Sequence, residues 1–312
     1  MLTNPHTHAA VKCWQKLTTV LLAAFMIGQL SAREGWMTDI EAAKKKATEE
    51  GKDLLIEFTR SEGCGWCIKL EKEVFSKDAF KQQVAKNYVL VMLNFPRDDN
   101  DWSPELKKQN EALLKRYRVR TFPYLVLSDA AGLPYKGMGY RSSERDAYIT
   151  KLTGLPEQRK KRDLAFARAE ELEGEEKARM LEKGLAEVSR KYHREYSDVI
   201  AAIAEADPSD ASGFVSRVRM DQVKVEMAKL LMPLYKERKF SEIPAAVDAY
   251  VSSKQPKGEA LQVALLYKVQ AHYMAKQYVH ATKVSDQIIG INDSSRAARF
   301  AKILKKRIER LK

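Results

Sequence analysis

Cysteine is scarce in this chain. Of 312 residues only three are cysteine, and one of them, Cys13, falls within the first 32. The other two, Cys64 and Cys67, stand two residues apart, which closes too small a loop to staple a fold. A small-domain disulfide framework is thereby excluded, and the pair is present for chemistry or for a metal. Zinc takes four ligands, usually from two such pairs or from added histidines. Beyond residue 32 there are three histidines, His193, His272 and His280, all in the second half of the chain. Redox chemistry is therefore the expected use of the pair, and no metal site is expected.

Long apolar runs are equally few. Residues 17–27 (LTTVLLAAFMI) form a run of 11, the length of a signal-peptide core and short of the ~20 residues that span a bilayer. Lys12 and Lys16 precede or flank it, and Leu30-Ser31-Ala32 follows as a small-residue cleavage site. Residues 1–32 thus read as a signal peptide cleaved after Ala32, with an uncleaved anchor as the alternative, and the rest as a periplasmic or otherwise extracytoplasmic chain. Arg33 stands where a lipid-anchored protein would need cysteine. No other stretch is long enough to cross a membrane.

What the chain has in quantity is charge. The balance of 55 basic against 42 acidic residues gives +13, within a composition of 45% apolar and 31% charged residues that fits a globular protein of two domains. An anionic partner would suit that excess, although export disfavours nucleic acid. The boundary is expected near Leu155-Pro156, giving a domain over 33–155 and a second over 156–312. The first carries 22 basic and 19 acidic residues and the second 31 and 23, so most of the excess lies in the second.

Residues 33–155 mix strand and helix signals. Thr38 and Glu41 form a capping box for a helix that stops at Gly51. Strands are expected at 54–58, 88–93, 124–128 and 135–138. Helices are expected from the cysteines onward and then over 78–87, from Ser103-Pro104 to about Tyr117, and from Ser143 to about Leu152. With that set of elements the first domain is expected to fold by itself.

Residues 156–312 show helical spacing nearly throughout. Phe240, Ile243, Val247 and Tyr250 match Tyr278, Ala281, Ser285 and Ile288 at an offset of 38 residues, each set following an apolar helix and a short turn. That pattern resembles tetratricopeptide repeats, helix pairs stacked into a solenoid; a plain helical bundle is the alternative. The last helix carries Arg296, Arg299, Lys302, Lys306 and Arg310 beside Phe300, Leu304, Ile308 and Leu311. A solvated outer face fits it better than peripheral contact with an anionic membrane. Asp98-Asp99-Asn100-Asp101 lacks the glycine and closing glutamate of a calcium loop and reads as a solvated loop.

Cys64-Gly65-Trp66-Cys67 follows a strand and opens a helix. The unpaired N–H groups and partial positive charge of a helix N-terminus stabilise a thiolate, so Cys64 is the expected nucleophile. Cys67, one turn in, is the expected resolving thiol. Trp66 reads as a surface aromatic that meets substrate. With Ile56-Glu57-Phe58 on the preceding strand and Thr121-Phe122-Pro123 directly before a later one, residues 36–155 resemble the thioredoxin superfamily, and within it the exported thioredoxin-like proteins of bacteria. The resemblance implies an α/β thioredoxin fold, a mixed sheet flanked by helices, here followed by the all-α domain. It implies that Glu57 is a buried acid exchanging a proton with the second thiol. It also implies that Pro123 is a cis-proline facing the cysteines, docking an extended substrate strand together with Phe122. A thiol–disulfide oxidoreductase acting on protein thiols or disulfides, with a further redox partner and no cofactor, follows from it. The reading from another class is a scaffold, in which the helices recruit a partner and the thioredoxin fold is a platform. Gly-Trp between the cysteines and Gly63 before them depart from thioredoxin itself.

Overall fold

The computed structural model describes residues 33–60, 62–98 and 102–311. The expected signal peptide over 1–32, with Cys13, lies outside the described residues, as do positions 99–101 of the acidic loop.

Five strands form one mixed sheet in the order β1-β3-β2-β4-β5. They are β1 (Trp36–Met37), β2 (Asp53–Thr59), β3 (Tyr88–Asn94), β4 (Tyr124–Ser128) and β5 (Pro134–Gly139). β1, β3 and β2 run parallel; β4 is antiparallel to β2, and β5 to β4. All seven residues of β2 are buried, which is the signature of a central strand covered on both faces. Between the strands come α1 (Ile40–Glu50), α2 (Gly65–Leu70), α3 (Asp78–Gln83) and α4 (Pro104–Arg116). This is the thioredoxin fold that the sequence predicts.

Local details differ from expectation. Asp39, not Thr38, caps α1, its carboxylate accepting from the N–H groups of Glu41 and Ala42; an aspartate side by side with a threonine takes both donors. Ser103 caps α4 as predicted, with Pro104 in its first turn. α2 does not run on as a regular helix but widens into a π turn over Glu71–Phe75. β1, only two residues long, carries too little pattern to be read.

The larger difference is at the expected domain boundary. Helix α5 (Arg145–Ala169) runs straight through Leu155 and Pro156. The chain divides into two compact units. One comprises the residues through Arg168 together with Lys183–Ser197; the other comprises Ala169–Glu182 and Asp198–Lys312. The first unit thus takes in residues beyond 155 that close over the sheet. Arg159 pairs with buried Asp53 on β2, and Arg162 with Asp129 after β4. Tyr192 and Tyr196, in the 3-10 turn Arg190–Tyr196, are buried.

The second unit is helical. Helices α8 (Phe214–Lys236), α9 (Ile243–Lys254), α10 (Gly258–Met274), α11 (Tyr278–Ile291) and α12 (Arg296–Glu309) follow one another with short turns; α6 (Gly174–Ala186) and α7 (Ser197–Ala206) precede them. The repeated positions are buried in corresponding helices: Ile243, Val247 and Tyr250 on α9, and Ala281, Ser285 and Ile288 on α11. α10 feeds two cores, Ala260, Val263 and Ala264 facing one and Leu265 and Val269 the other. A helix buried on opposite sides needs apolar residues around most of its girth.

Candidate active site

The site begins where β2 ends. Gly63, at φ +66°, turns the chain from strand into helix. A Cβ added there would stand 2.6 Å from Cζ of Arg97, in a backbone region that L side chains rarely adopt. Gly63→Ala is therefore expected to destabilise the protein by about 1 kcal/mol or more, measured as a lower urea midpoint. An unchanged midpoint would show that this turn bears no constraint.

Cys64 then caps α2. Its Sγ accepts the N–H of Cys67 at 3.2 Å, and its carbonyl accepts from Cys67 and Ile68. The two sulfurs are joined as a disulfide, with Cα atoms 5.3 Å apart. Cys64 is half-buried and Cys67 is 5% exposed. The pair is thus asymmetric: Cys64 is partly exposed, and Cys67 is screened by the helix it sits in. Trp66 between them is 50% exposed, with the Lys69 ammonium 4.8 Å from its ring centre.

The Phe122–Pro123 peptide bond is cis. Pro123 is buried, and the Phe122 ring packs 5.0 Å from Phe95 with the Arg60 guanidinium 5.3 Å from its centre. Trp66, Phe122 and Pro123 line a common groove of about 1310 Å³. Its other wall comes from β5, the segment after it and the first turns of α5, including Lys136, Met138, Tyr140 and Lys151. The sequence reading missed that wall, because nothing local to β5 or α5 marks it as facing a distant Cys pair.

Glu57 lies at the middle of β2, fully buried. It is not on an edge strand. Met92 on β3 and Leu125 on β4 stand opposite it. Burial pushes its carboxyl above the ordinary range, opposed by the Arg33 guanidinium and by Thr59, and reinforced by the charge of Glu71. Arg33 Nη1 meets Glu57 Oε2 at 3.0 Å. The described histidines are engaged elsewhere: His193 bonds to the carbonyls of Leu185 and Val188, and His272 stacks on His280 in the helical unit.

A cysteine pair opening the helix after the central strand of this sheet, with a cis-proline lining the same groove as the Trp66 between the cysteines, defines a thiol–disulfide oxidoreductase of the thioredoxin fold. A sequence profile of the thioredoxin-like domain matches residues 40–152. Disulfide bond reductase DsbH of Chlamydia pneumoniae is 30% identical over 117 residues, which make up 38% of this chain and 69% of that protein. The chain belongs to the thioredoxin-like family. Thioredoxin-related protein DsbJ of the same organism is 27% identical over 123 residues, 36% of this chain and 34% of that protein, so the match spans about a third of DsbJ. Among solved structures, a DsbH oxidoreductase is similar at 25% identity, covering 40% of this chain and 87% of that one with a TM-score of 0.36.

Proposed function

We propose that this chain is an exported enzyme that exchanges disulfides with protein substrates through Cys64 and Cys67, in the reducing direction. The observation that carries the reading is the asymmetry of the pair: an accessible sulfur at a helix start, backed by a buried one. In the reducing direction the Cys64 thiolate attacks a substrate disulfide, and one substrate thiolate leaves. Cys67 then loses its proton to the Glu57 carboxylate and attacks Cys64 Sγ. The second substrate thiolate leaves, two electrons having passed to the substrate, and the Cys64–Cys67 disulfide remains. Trp66, Phe122 and Pro123 hold the extended substrate strand in the groove. Cleavage after Ala32 would free the mature chain outside the cytoplasm. No helix among the described residues is long and apolar enough to cross a membrane.

The direction is carried over from the relative called a disulfide bond reductase. The helical unit is assigned the recruitment of a protein partner, on the resemblance of its helices to stacked repeats. The deciding measurement is the reduction potential of the pair, joined to its redox state in cells by thiol alkylation. A reductase should lie near the ~−270 mV of thioredoxin and be found mainly reduced. A value near ~−120 mV, with the pair oxidised in cells, would reverse the direction.

A further inference from the structure

We propose that Arg33 is a positioning residue for this reaction: its guanidinium, held under the cysteine-bearing helix, sets the pH at which Glu57 can take the Cys67 proton. This rests on the reading of Glu57 as the proton acceptor.

The geometry is that of a clamp. One nitrogen of Arg33 meets Glu57 on the central strand, and the other meets Glu71 on the π turn that continues α2. The Glu71 N–H donates to the Cys67 carbonyl, so Glu71 stands one helical turn beyond Cys67. Arg33 therefore ties the buried acid to the helix that presents the resolving thiol. Its guanidinium carbon lies 4.5 Å from the Trp36 ring centre and 4.9 Å from that of Phe75, both rings buried. Arg33 is fixed in turn by its own backbone, whose carbonyl accepts from Trp36 at the start of β1.

Among the described residues, no neighbouring strand supplies a substitute cation. The residues facing Glu57 are Met92 on β3 and Leu125 on β4, with Thr59 further along β2. The Tyr148 hydroxyl on α5 and the Glu71 carboxylate interact with it electrostatically, and neither is positive. Arg33 is thus the cation that keeps a fully buried carboxylate ionisable. An opposite charge at this distance lowers a carboxyl pKa by about one to three units. Removing it raises the proton affinity of Glu57, so a higher pH is needed before the carboxylate can accept a proton.

The test follows the second step by itself in the full-length protein. Reduced enzyme is mixed with 5,5′-dithiobis(2-nitrobenzoate). Attack by Cys64 releases one coloured thiolate, and attack by Cys67 on the resulting mixed disulfide releases the second. The rate of the second release is recorded from pH 5 to 9. Arg33→Gln should move the rising limb of that profile up by about one unit or more, a roughly tenfold slower release on the acid side. Arg33→Lys should restore most of it, and Glu57→Gln should abolish the limb. In the Glu57→Gln background, Arg33→Gln should change the profile no further. If Glu57→Gln leaves the limb in place, Glu57 is not the proton acceptor and the reading beneath this proposal falls. If Glu57→Gln removes the limb but Arg33→Gln leaves it unmoved, Arg33 only packs and the proposal falls alone. Should Arg33→Gln fail to fold, Glu71→Gln asks the same question at a partly exposed position. Freeing the guanidinium from its second carboxylate should move the limb down, and an unmoved limb overturns the proposal.

Discussion

Cys67→Ala is expected to accumulate mixed disulfides through Cys64, whereas Cys64→Ala is expected to accumulate none. The asymmetry comes from the fold. Cys64 is the N-cap of α2, where Sγ already accepts the Cys67 N–H and where the helix end favours a thiolate. Cys67 is 5% exposed and meets Cys64 from within the helix, not the solvent. An incoming disulfide therefore contacts one sulfur first. With Cys67 removed, the first step proceeds and the second has no nucleophile, so the adduct persists. With Cys64 removed, the screened thiol has no access to the substrate. Each variant should lose turnover of insulin by about three orders of magnitude or more, since the two residues act as a unit. Adducts resolved on non-reducing gels and released by a thiol reductant are the readout. Equal trapping by both variants would mean that the two thiols are interchangeable, contrary to their burial.

How much of this was legible in the sequence depends on how local the signal is. The cysteine pair, the strand before it and the Thr-Phe-Pro turn are short segments whose meaning is complete within ten residues, and they could be read directly. Glu57 was visible as an acid between Ile56 and Phe58, and its burial came from the family resemblance, not from the strand pattern. Alternation marks a half-buried strand, whereas a central strand covered on both faces hides every residue regardless of polarity. Arg33 carried no signal at all. It stands beside an expected cleavage site, and only the docking of β1 against β3 brings it beneath the cysteine-bearing helix. Pro156 misled for a physical reason. Proline inside a helix removes a hydrogen bond and normally ends it, yet α5 continues because Arg159 and Arg162, on the turns that follow, are anchored to Asp53 and Asp129 of the sheet domain.

That anchoring leads to the second large effect: a chain of residues 33–155 should not fold stably, whereas residues 33–197 should. The expectation from sequence was the opposite, that the strands and helices before Leu155 form a complete set. Asp53 argues against that. It is 2% exposed on the central strand, and its two partners are the Tyr135 hydroxyl and Arg159 Nε, each at 2.9 Å. Burial pushes its carboxyl above the ordinary range, Arg159 and Tyr135 oppose that push, and the charge of Asp129 adds to it. Ending the chain at 155 removes the arginine and leaves the acid in the core without a counter-charge, a loss on the order of 3–5 kcal/mol. The edge strand loses its cover as well. The Ser189 N–H donates to the Tyr135 carbonyl, and the Tyr196 hydroxyl to that of Pro134. Tyr192 is buried with its ring edge-on to Tyr117, and its hydroxyl occupies the space where Gly137 has no side chain. Against a typical total stability of about 5–15 kcal/mol, these losses together are enough to unfold the shorter chain. Residues 33–197 keep all of them. Urea unfolding followed by tryptophan fluorescence should give a cooperative transition for 33–197 and none, or one at much lower urea, for 33–155. The longer chain should also turn over insulin at close to the full-length rate, since every residue of the groove and of the proton path lies within it. A shared midpoint for the two chains would show that residues 156–197 merely decorate the sheet domain.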